Sequence, residues 1–305
     1  MKSIHEWTYE VSKCAPQQAF RNLEAAFKRV FKVKGSGQPK FKKKGVKDSF
    51  YLEGSIKTGG RRIKLPKFGW VKCSEMLPSC EVKNCVISRQ AEHWFISFKV
   101  EHKTISTPKI RDRIRVDLGI KTLAKLSNGE DAPAVRAFRQ FKRKLKLAQR
   151  QCSKKFIKEA AKQSNNYEKA KSKVARIHYK IACLRQDALH KLTSYLAKNH
   201  SSIIIEDLNI KGMSKNHRLA SAILDGGFYE FRRQLEYKTQ WYGSKLIVAN
   251  RFYPSSKMCS GCGQIKERLS LSERIYKCEN CGLEIDRDLN AAINLENYEE
   301  KHPES

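Results

Sequence analysis

The sequence predicts an α/β and β multidomain chain: a small antiparallel β domain, then an α/β domain with a metal-binding cysteine ribbon set into it. Three observations support this class. Short segments that alternate apolar and polar residues fill positions 49–101. From position 114 onward, apolar strand patterns are interspersed with long helical patterns. Two Cys-x2-Cys pairs stand near the C-terminus.

The N-terminal region predicts one helix followed by a small sheet. Between Pro16 and Phe31, apolar residues recur at helical spacing, and Pro16 suits a first helical turn. A lysine-rich loop around Phe41 follows, because Gly, Pro and Lys interrupt the periodicity there. The segments FYLEG, RRIKL, WVKCS, CEVKNCVISR and HWFISFKVE then predict antiparallel strands.

The second half predicts strands and helices of an α/β domain. The segments IRVDLGI and TLAKLSNGE predict a hairpin joined through Lys121, and two antiparallel helices with a break at 164–166 follow. The run SSIIIEDLN predicts a buried strand, because consecutive β-branched residues suit the middle of a sheet. A helix over 228–242, a strand KLIVAN and a last helix over about 289–297 complete the series.

Charge predicts a polyanionic partner. The 305 residues contain 62 Lys or Arg against 31 Asp or Glu, a formal charge of +31. Such a charge opposes compaction unless a polyanion offsets it, which favours nucleic acid over the other candidate, an acidic membrane surface. No apolar run approaches the roughly 20 residues that span a bilayer, and the N-terminus lacks a signal-peptide core. We therefore expect a soluble, cytoplasmic protein without a membrane partner.

The two predicted antiparallel helices carry much of this charge. Positions 134–191 hold 18 Lys or Arg and three acids, a net +15. Solvated helix faces usually mix both signs, so this imbalance favours phosphate contact, with Arg143, Lys144 and Lys146 as candidates. A merely solvated basic face is the alternative.

The cysteine spacing predicts a structural zinc site. Cys259, Cys262, Cys278 and Cys281 form two Cys-x2-Cys pairs separated by 15 residues, so each pair can place two thiolates on one knuckle around Zn²⁺. Four cysteine ligands leave no open position, which indicates a structural role. Redox pairs are the alternative, and the six other cysteines are expected to be buried hydrophobes in a reducing compartment.

A set of acids suggests a second metal site. Asp117 and Glu206 end apolar strands, and Asp286 and Asp288 precede the last helix. Taken singly, they could be a turn residue, a surface acid and helix caps. Together, in a basic chain, they are what two Mg²⁺ ions need to cleave a phosphodiester.

The ordered motifs VDLGI, IIIEDL, SSKMCSGCG, YKCENCG and DRDLNAAINL resemble the OrfB/TnpB family of insertion-sequence proteins, which are similar to compact type V CRISPR effectors. The resemblance implies an RNA-guided DNA endonuclease with a guide RNA and a target DNA as partners. Its implied fold is a RuvC-like nuclease of the RNase H type, preceded by a wedge-like β domain and carrying an inserted zinc ribbon. In that family the catalytic acids correspond to Asp117, Glu206 and Asp288, with Asp286 as a neighbouring support.

The implied domain bounds are 1–108 for the wedge-like part, 109–254 for the nuclease with its basic hairpin (134–198), 255–284 for the ribbon and 285–305 for the last helix and tail. An RNase H-like sheet would place VDLGI and IIIEDL on neighbouring parallel strands. The chain departs from the family before Trp7, where members usually carry a further strand and helical segment. A non-cutting RNA- and DNA-binding accessory or repressor protein is therefore the alternative function, ahead of an unguided transposase.

Overall fold

The computed structural model describes residues 10–40, 45, 48–101, 107–160, 162–250, 253–270, 273–296 and 298. Trp7, Phe41 and the last predicted helical residue, Asn297, lie outside these ranges. The chain divides into two compact units, residues 1–102 and 103–305. Among the described residues, no helix combines the length and apolar character needed to cross a bilayer.

The described part of unit 1 contains one helix and a five-stranded antiparallel sheet. Its elements are α1 (Cys14–Lys32), β1 (Ser49–Gly59), β2 (Arg62–Leu65), β3 (Gly69–Lys72), β4 (Val82–Gln90) and β5 (His93–Phe98). The strand order is β3-β2-β1-β4-β5, and each neighbouring pair is antiparallel. The predicted antiparallel strands are thus confirmed, and they form one sheet in which β4 pairs with β1 and not with its sequence neighbour β3.

One face of this sheet forms the core of unit 1. Leu52, Ile63 and Cys85 are each 1% exposed, and Ile56 and Val82 pack in the same cluster. In β2 the burial pattern alternates strictly, because successive side chains point to opposite faces of a strand. The polar residues of these strands consequently line the other face.

Helix α1 forms where the periodicity predicts it, but its apolar face is largely uncovered. Phe20 is 66% exposed and Phe31 83% exposed, and within α1 Cys14 is the buried side chain. Helical spacing identifies an amphipathic helix whether or not a neighbour covers its apolar face.

In its described residues, unit 2 contains a second five-stranded sheet, a two-stranded ribbon and six helices. Its strands are β6 (Arg111–Leu118), β7 (Thr122–Leu126), β8 (Asp131–Pro133), β9 (His200–Glu206), β10 (Lys245–Ala249), β11 (Ile275–Lys277) and β12 (Glu284–Asp286). Its helices are α2 (Ala137–Lys154), α3 (Asn165–Asn199), α4 (Ile210–Met213), α5 (His217–Gly226), α6 (Phe228–Tyr242) and α7 (Arg287–Glu296).

The large sheet of unit 2 has the order β10-β9-β6-β7-β8. Strands β6 and β9 are parallel neighbours, which confirms the pairing predicted for VDLGI and IIIEDL. Strand β10 is parallel to β9, whereas β6, β7 and β8 form an antiparallel meander. Ile203, Ile204 and Ile205 are all at most 1% exposed, because β9 is covered on both faces.

The two faces of this sheet have different covers. Ile114, Val116, Ile203 and Ile205 pack with residues of α3 and α6 in the main core. Ile204 belongs to a second cluster with Leu295 of α7. Because strand residues alternate in direction, Arg115, Asp117 and Glu206 share the face that α7 covers.

Helices α2 and α3 form the predicted antiparallel pair. Ser164 caps α3 by accepting a hydrogen bond from the backbone N–H of Tyr167, so the chain breaks where the polar run 164–166 predicts it. At the start of α2, the side chain of Asp225 from α5 accepts hydrogen bonds from the N–H groups of Phe138 (3.0 Å) and Arg139 (3.4 Å). Helices α4 and α5 and the short strand β8 had no counterpart in the sequence-based prediction.

Candidate functional site

The four cysteines of unit 2 form one compact sulfur cluster. Their ligand atoms lie within 4.8 Å of one another, and the Sγ–Sγ distances are 3.6 Å for Cys259–Cys281 and for Cys262–Cys278. Four thiolates about 2.3 Å from a tetrahedral Zn²⁺ would be about 3.8 Å apart, so the arrangement fits zinc. Asn280 donates a side-chain hydrogen bond to Cys262 Sγ, which is the main reason that the pKa of this thiol falls to about 6.

The two knuckles of this cluster have the same backbone geometry. Gly263 N–H donates to the carbonyl of Cys259 at 2.9 Å, and Gly282 N–H donates to the carbonyl of Cys278 at 3.0 Å. Both glycines have positive φ, 76° and 74°, a conformation that costs glycine little and other residues more. Strands β11 and β12 lie on either side of the second knuckle and pair as an antiparallel hairpin, so the chain forms a small ribbon here.

Two of the predicted acids lie side by side at the ends of β6 and β9. Val116 is the register partner of Ile205, so the next residues, Asp117 and Glu206, are neighbours at the same strand ends. Asp117 is also the partner of Lys125 on β7. The parallel pairing therefore brings together two carboxylates separated by 89 positions in sequence.

Arg115 lies beneath these acids and is fully buried. Its Nη2 donates to Oε1 of Glu206 at 2.8 Å, whereas Nε and Nη1 have no hydrogen-bond partner. Ser255 Oγ donates to the same Oε1 at 3.0 Å. Because both donors use Oε1, the second oxygen of this partly exposed carboxylate is left for another partner.

The two aspartates before α7 have different positions. Asp286 Oδ1 accepts hydrogen bonds from the N–H groups of Asp288 (3.0 Å) and Leu289 (3.1 Å), so Asp286 caps the helix. Lys125 Nζ lies 3.1 Å from Asp286 Oδ1 and 3.6 Å from Asp288 Oδ2. Lys125 thus connects both aspartates to the strand that pairs with Asp117.

The charges of the site shift its pKa values in both directions. Burial, followed by the charge of Glu206, raises the pKa of Asp117 to about 7, and the charge of Asp288 acts in the same direction. Burial also raises the pKa of Asp286, but the hydrogen bond from Lys125 and those from the α7 backbone outweigh it and leave a lowered value. In Lys125, burial lowers the pKa, and the hydrogen bond to Asp286 reverses the net direction.

The ribbon is attached to α7 by two asparagines. Asn290 Nδ2 donates to the carbonyl of Met258 at 2.7 Å, and its Oδ1 accepts from the backbone N–H of Ser260 at 2.9 Å. Asn294 Nδ2 donates to the carbonyls of Ser255 at 2.8 Å and Met258 at 2.5 Å. Both asparagines are almost completely buried, so these bonds form a fixed junction between the first knuckle and the helix that carries Asp288.

The predicted phosphate-binding residues lie elsewhere, on α2. Arg143, Lys144 and Lys146 are all exposed, and none of them forms an ion pair with an acid in the described part of the chain. Leu145 and Ala148 on the same helix are buried against α3.

Sequence reasoning missed several residues of the site. Arg115 had a usable signal, because a charged residue two positions before Asp117 in an apolar strand must share its face. Asn290 and Asn294 had a weaker one, since residues four apart lie on one helix face. Lys125 and Ser255 had none, because only strand register and the path of the ribbon bring them near the acids.

The acidic set also suits a metal, though it is looser than the cysteine cluster. Within the described residues, the cysteines form the group of His, Cys, Asp and Glu ligand atoms that all lie within 4.8 Å of one another. Asp117, Glu206 and Asp288 offer only carboxylate oxygens, the donors that Mg²⁺ prefers. The raised pKa of Asp117 reflects burial and mutual repulsion, and a bound divalent cation would relieve the repulsion.

Two family models match the chain, and most of the matched residues lie in unit 2. The family OrfB_IS605, described as a probable transposase, matches residues 96–217, and the TNB domain described as Cas12f1-like matches residues 228–295. The second match contains the four cysteines and Asp288.

Similar proteins cover most of the chain. Two of them, from Streptomyces pristinaespiralis and Escherichia coli K12, carry the name "Putative RNA-guided DNA endonuclease", the second with the suffix InsQ. They are 37% and 36% identical to this chain over 94% and 95% of its length, which corresponds to 71% and 75% of theirs. A solved Cas12f1–sgRNA–target DNA complex contains a chain with a similar fold, at a TM-score of 0.52 and 15% identity over 91% of this chain and 69% of that one.

Proposed function

The chain belongs to the OrfB/TnpB family, and we propose that it is an RNA-guided DNA endonuclease of a transposable element that cleaves phosphodiesters at Asp117, Glu206 and Asp288. The observation that supports this proposal is the position of Asp117 and Glu206 side by side at the C-terminal ends of the parallel strands β6 and β9, where the charge of Asp288 from the first turn of α7 also acts on Asp117. The names of the relatives from Streptomyces and Escherichia coli support the same reaction.

In this proposal the fold of unit 2 is RuvC-like, of the RNase H type, over 109–254 and 285–305, with the zinc ribbon at 255–284 inserted before the last helix. The mixed sheet with two parallel strand pairs and α7 packed beside β6 supports this assignment. Residues 1–108 correspond to a wedge-like domain, and the five-stranded antiparallel sheet of unit 1 supports that reading.

Asp117, Glu206 and Asp288 would hold Mg²⁺, which when bound stabilises the charge on the attacking and leaving oxygens of the scissile phosphate. Arg115 and Ser255 both hold Oε1 of Glu206, so they fix the orientation of this carboxylate and direct Oε2 outward. Asp117 is partly exposed, as are Glu206 and Asp288, and burial is the main cause of its raised pKa.

The remaining residues of the site position the third carboxylate. Asp286 caps α7 and thereby fixes the first turn, in which Asp288 stands. Lys125 holds both aspartates near β7 in the absence of metal. Cys259, Cys262, Cys278 and Cys281 would hold a structural Zn²⁺, and the asparagine junction transmits the position of that ribbon to α7.

The excess positive charge of the chain supports binding of nucleic-acid partners. A guide RNA and its DNA target would be held through phosphates by exposed cations such as those on α2, with sequence choice left to base pairing.

The test uses the protein purified with its own RNA, a matched DNA and Mg²⁺. Wild type should cleave the DNA, and Asp117→Ala should bind RNA and DNA normally without cleavage, because the substitution removes a metal ligand and no cation. Asp288→Ala should also be inactive, whereas Asp286→Ala should cleave more slowly, because it removes a helix cap only. Binding without cleavage in both Mg²⁺ and Mn²⁺ would replace the proposal with a non-cutting accessory protein.

A further inference from the structure

The outer face of the unit 1 sheet carries a row of cations around one exposed indole. Register places Lys57, Lys64 and Trp70 in one row across β1, β2 and β3. The next row on the same face contains Gly59, Arg62 and Lys72. No acid occupies any of these six positions.

Burial separates this face from the core. Ile63 is 1% exposed and Leu65 5% exposed, and they alternate along β2 with the exposed Arg62 and Lys64. All four residues of β3 are exposed, and Trp70 is 54% exposed. The row of cations and the indole therefore face solvent.

The position of the indole depends on a glycine. A Cβ built on Gly59 would lie 3.6 Å from Cη2 and 3.7 Å from Cζ3 of Trp70. The indole thus reaches back across β2 and lies over β1 at the residue that has no side chain. The indole of Trp70 thus lies close to the exposed face of the sheet, next to the lysine and arginine side chains of the same face.

The cations on this face have no acidic partners. Lys57, Arg62, Lys64 and Lys72 form no ion pair within the part of the chain that the structure describes. Elsewhere in unit 1 a cation does meet an acid, as in the 2.8 Å contact between Arg89 and Asp48. The charge of this face is consequently available for an external anion.

We infer that this face binds single-stranded nucleic acid, with one unpaired base stacked on Trp70 and the flanking phosphates on Lys57, Arg62, Lys64 and Lys72. Every nucleobase has a π face, and an aromatic ring on a basic sheet recognises it without reading sequence. A duplex is a poorer occupant, because its bases are already stacked on one another. The inference rests on the proposed function, which supplies an RNA and a DNA strand as possible sources of the unpaired base.

The second exposed tryptophan of unit 1 provides a matched control. Trp94 on β5 is 57% exposed, but the guanidinium of Arg89 already lies 5.7 Å from its ring centroid. Register pairs Trp94 with Arg89, so it lies outside the Lys57–Lys64–Trp70 row. The two tryptophans are similarly accessible, and only Trp70 has unpaired cations around it among the described residues of this sheet.

The experiment measures the affinity of the purified protein for labelled oligouridylate and oligothymidylate across a range of salt concentrations. Trp70→Ala should weaken binding by about 5- to 160-fold without changing the salt dependence, because stacking involves no counterion release. Trp70→Phe should restore most of the affinity, and Trp94→Ala should bind like wild type. Neutralising Lys57 and Lys64 together should lower the log–log salt slope by about 1.4.

The outcomes are distinguishable. Unchanged affinity in Trp70→Ala, or an equal loss in Trp94→Ala, would overturn the inference. A Trp70 effect confined to oligouridylate identifies RNA as the source of the base, and one confined to oligothymidylate identifies a DNA strand. A wild type that shows the Trp70 effect but never cleaves DNA would overturn the proposed function and leave this surface assigned.

Discussion

Removing the charge of Arg115 should strengthen metal binding at the carboxylates, although the residue holds one of them in place. The perturbation is Arg115→Gln, which keeps a donor toward Glu206 and removes the positive charge. The buried guanidinium contacts Glu206 Oε1 at 2.8 Å and occupies the same sheet face as Asp117. It therefore neutralises carboxylate charge that a divalent cation would otherwise meet.

Coulomb's law gives the size of the effect. At an effective dielectric constant of about 20, unit charges about 4 to 8 Å apart interact by roughly 2 to 4 kcal/mol, and a divalent cation doubles this repulsion from Arg115. Weakening the charged hydrogen bond to Glu206 removes about 1.5 to 3 kcal/mol of the free energy that holds this carboxylate in its metal-binding orientation. The balance favours metal by at least about 1 kcal/mol, or about fivefold in affinity.

Stability should change little in this variant. Nε and Nη1 of Arg115 are buried without partners, and each such group costs about 1 to 3 kcal/mol in the native state. Glutamine removes both of them, which offsets the weaker bond to Glu206. Denaturant unfolding of the zinc-loaded protein would measure this balance.

The assay is a titration of the zinc-loaded protein with Mn²⁺ at pH 8, in which electron paramagnetic resonance reports the free ion. In wild type this pH lies above the pKa of about 7 for Asp117, so that carboxyl is mostly ionised. Because the charge of Arg115 lowers this pKa, the carboxyl is less ionised in the variant, and the titration is therefore repeated at a higher pH. Arg115→Lys keeps the charge and should resemble wild type. Arg113→Gln removes an exposed charge from the same strand and should have a smaller effect. Equal or weaker Mn²⁺ binding by a fully folded Arg115→Gln would show that the guanidinium assists the metal instead of opposing it.

Three further predictions concern other parts of unit 2. Cys278→Ser should lose zinc and local order, because three thiolates hold the ion less tightly than four, and zinc retained at one equivalent per chain would contradict the assignment. A variant that neutralises the exposed α2 cations Arg143, Lys144 and Lys146 should lower the log–log salt slope of RNA binding. The expected decrease is about 0.7 for each single-strand phosphate that the variant no longer binds. An unchanged slope would show that these side chains only face solvent. Burial lowers the pKa of Lys238 from 10.5 to about 8, so between these pH values the unfolded chain binds more protons than the folded chain. The unfolding free energy of wild type, measured relative to that of Lys238→Met, should therefore rise from pH 8 to pH 10. The rise should be up to about 1.4 kcal/mol per pH unit. A pH-independent difference in that range would contradict the lowered pKa.

The sequence predicted the strands of the site well because their signals are local. The run of three isoleucines before Glu206 requires a position buried on both faces, and the structure places β9 in the interior of the sheet. The cysteine spacing likewise predicted which four sulfurs meet. In both cases a short stretch of the sequence contains the whole signal.

What the sequence could not predict depends on tertiary neighbours. The periodicity of α1 is the same whether its apolar face is covered or open, and the exposure of Phe20 and Phe31 is visible only in the structure. Arg115 looked like one cation among many in a strongly basic chain. Its burial follows from the packing of α7 over β6, two segments about 180 positions apart in the sequence.

The asparagine junction connects the cysteine ribbon, which is remote in sequence from Asp117, to the acidic site. Asn290 and Asn294 lie one helical turn apart on α7, and both donate to the carbonyl of Met258, the residue before the first cysteine of the cluster. Asn294 also binds the carbonyl of Ser255, whose hydroxyl holds Glu206. The first knuckle is therefore linked by hydrogen bonds to Glu206 through Ser255, and to Asp288 through helix α7. A structural metal that fixes this knuckle thereby fixes two of the three carboxylates, because the bonds that join them are buried and shielded from competing water.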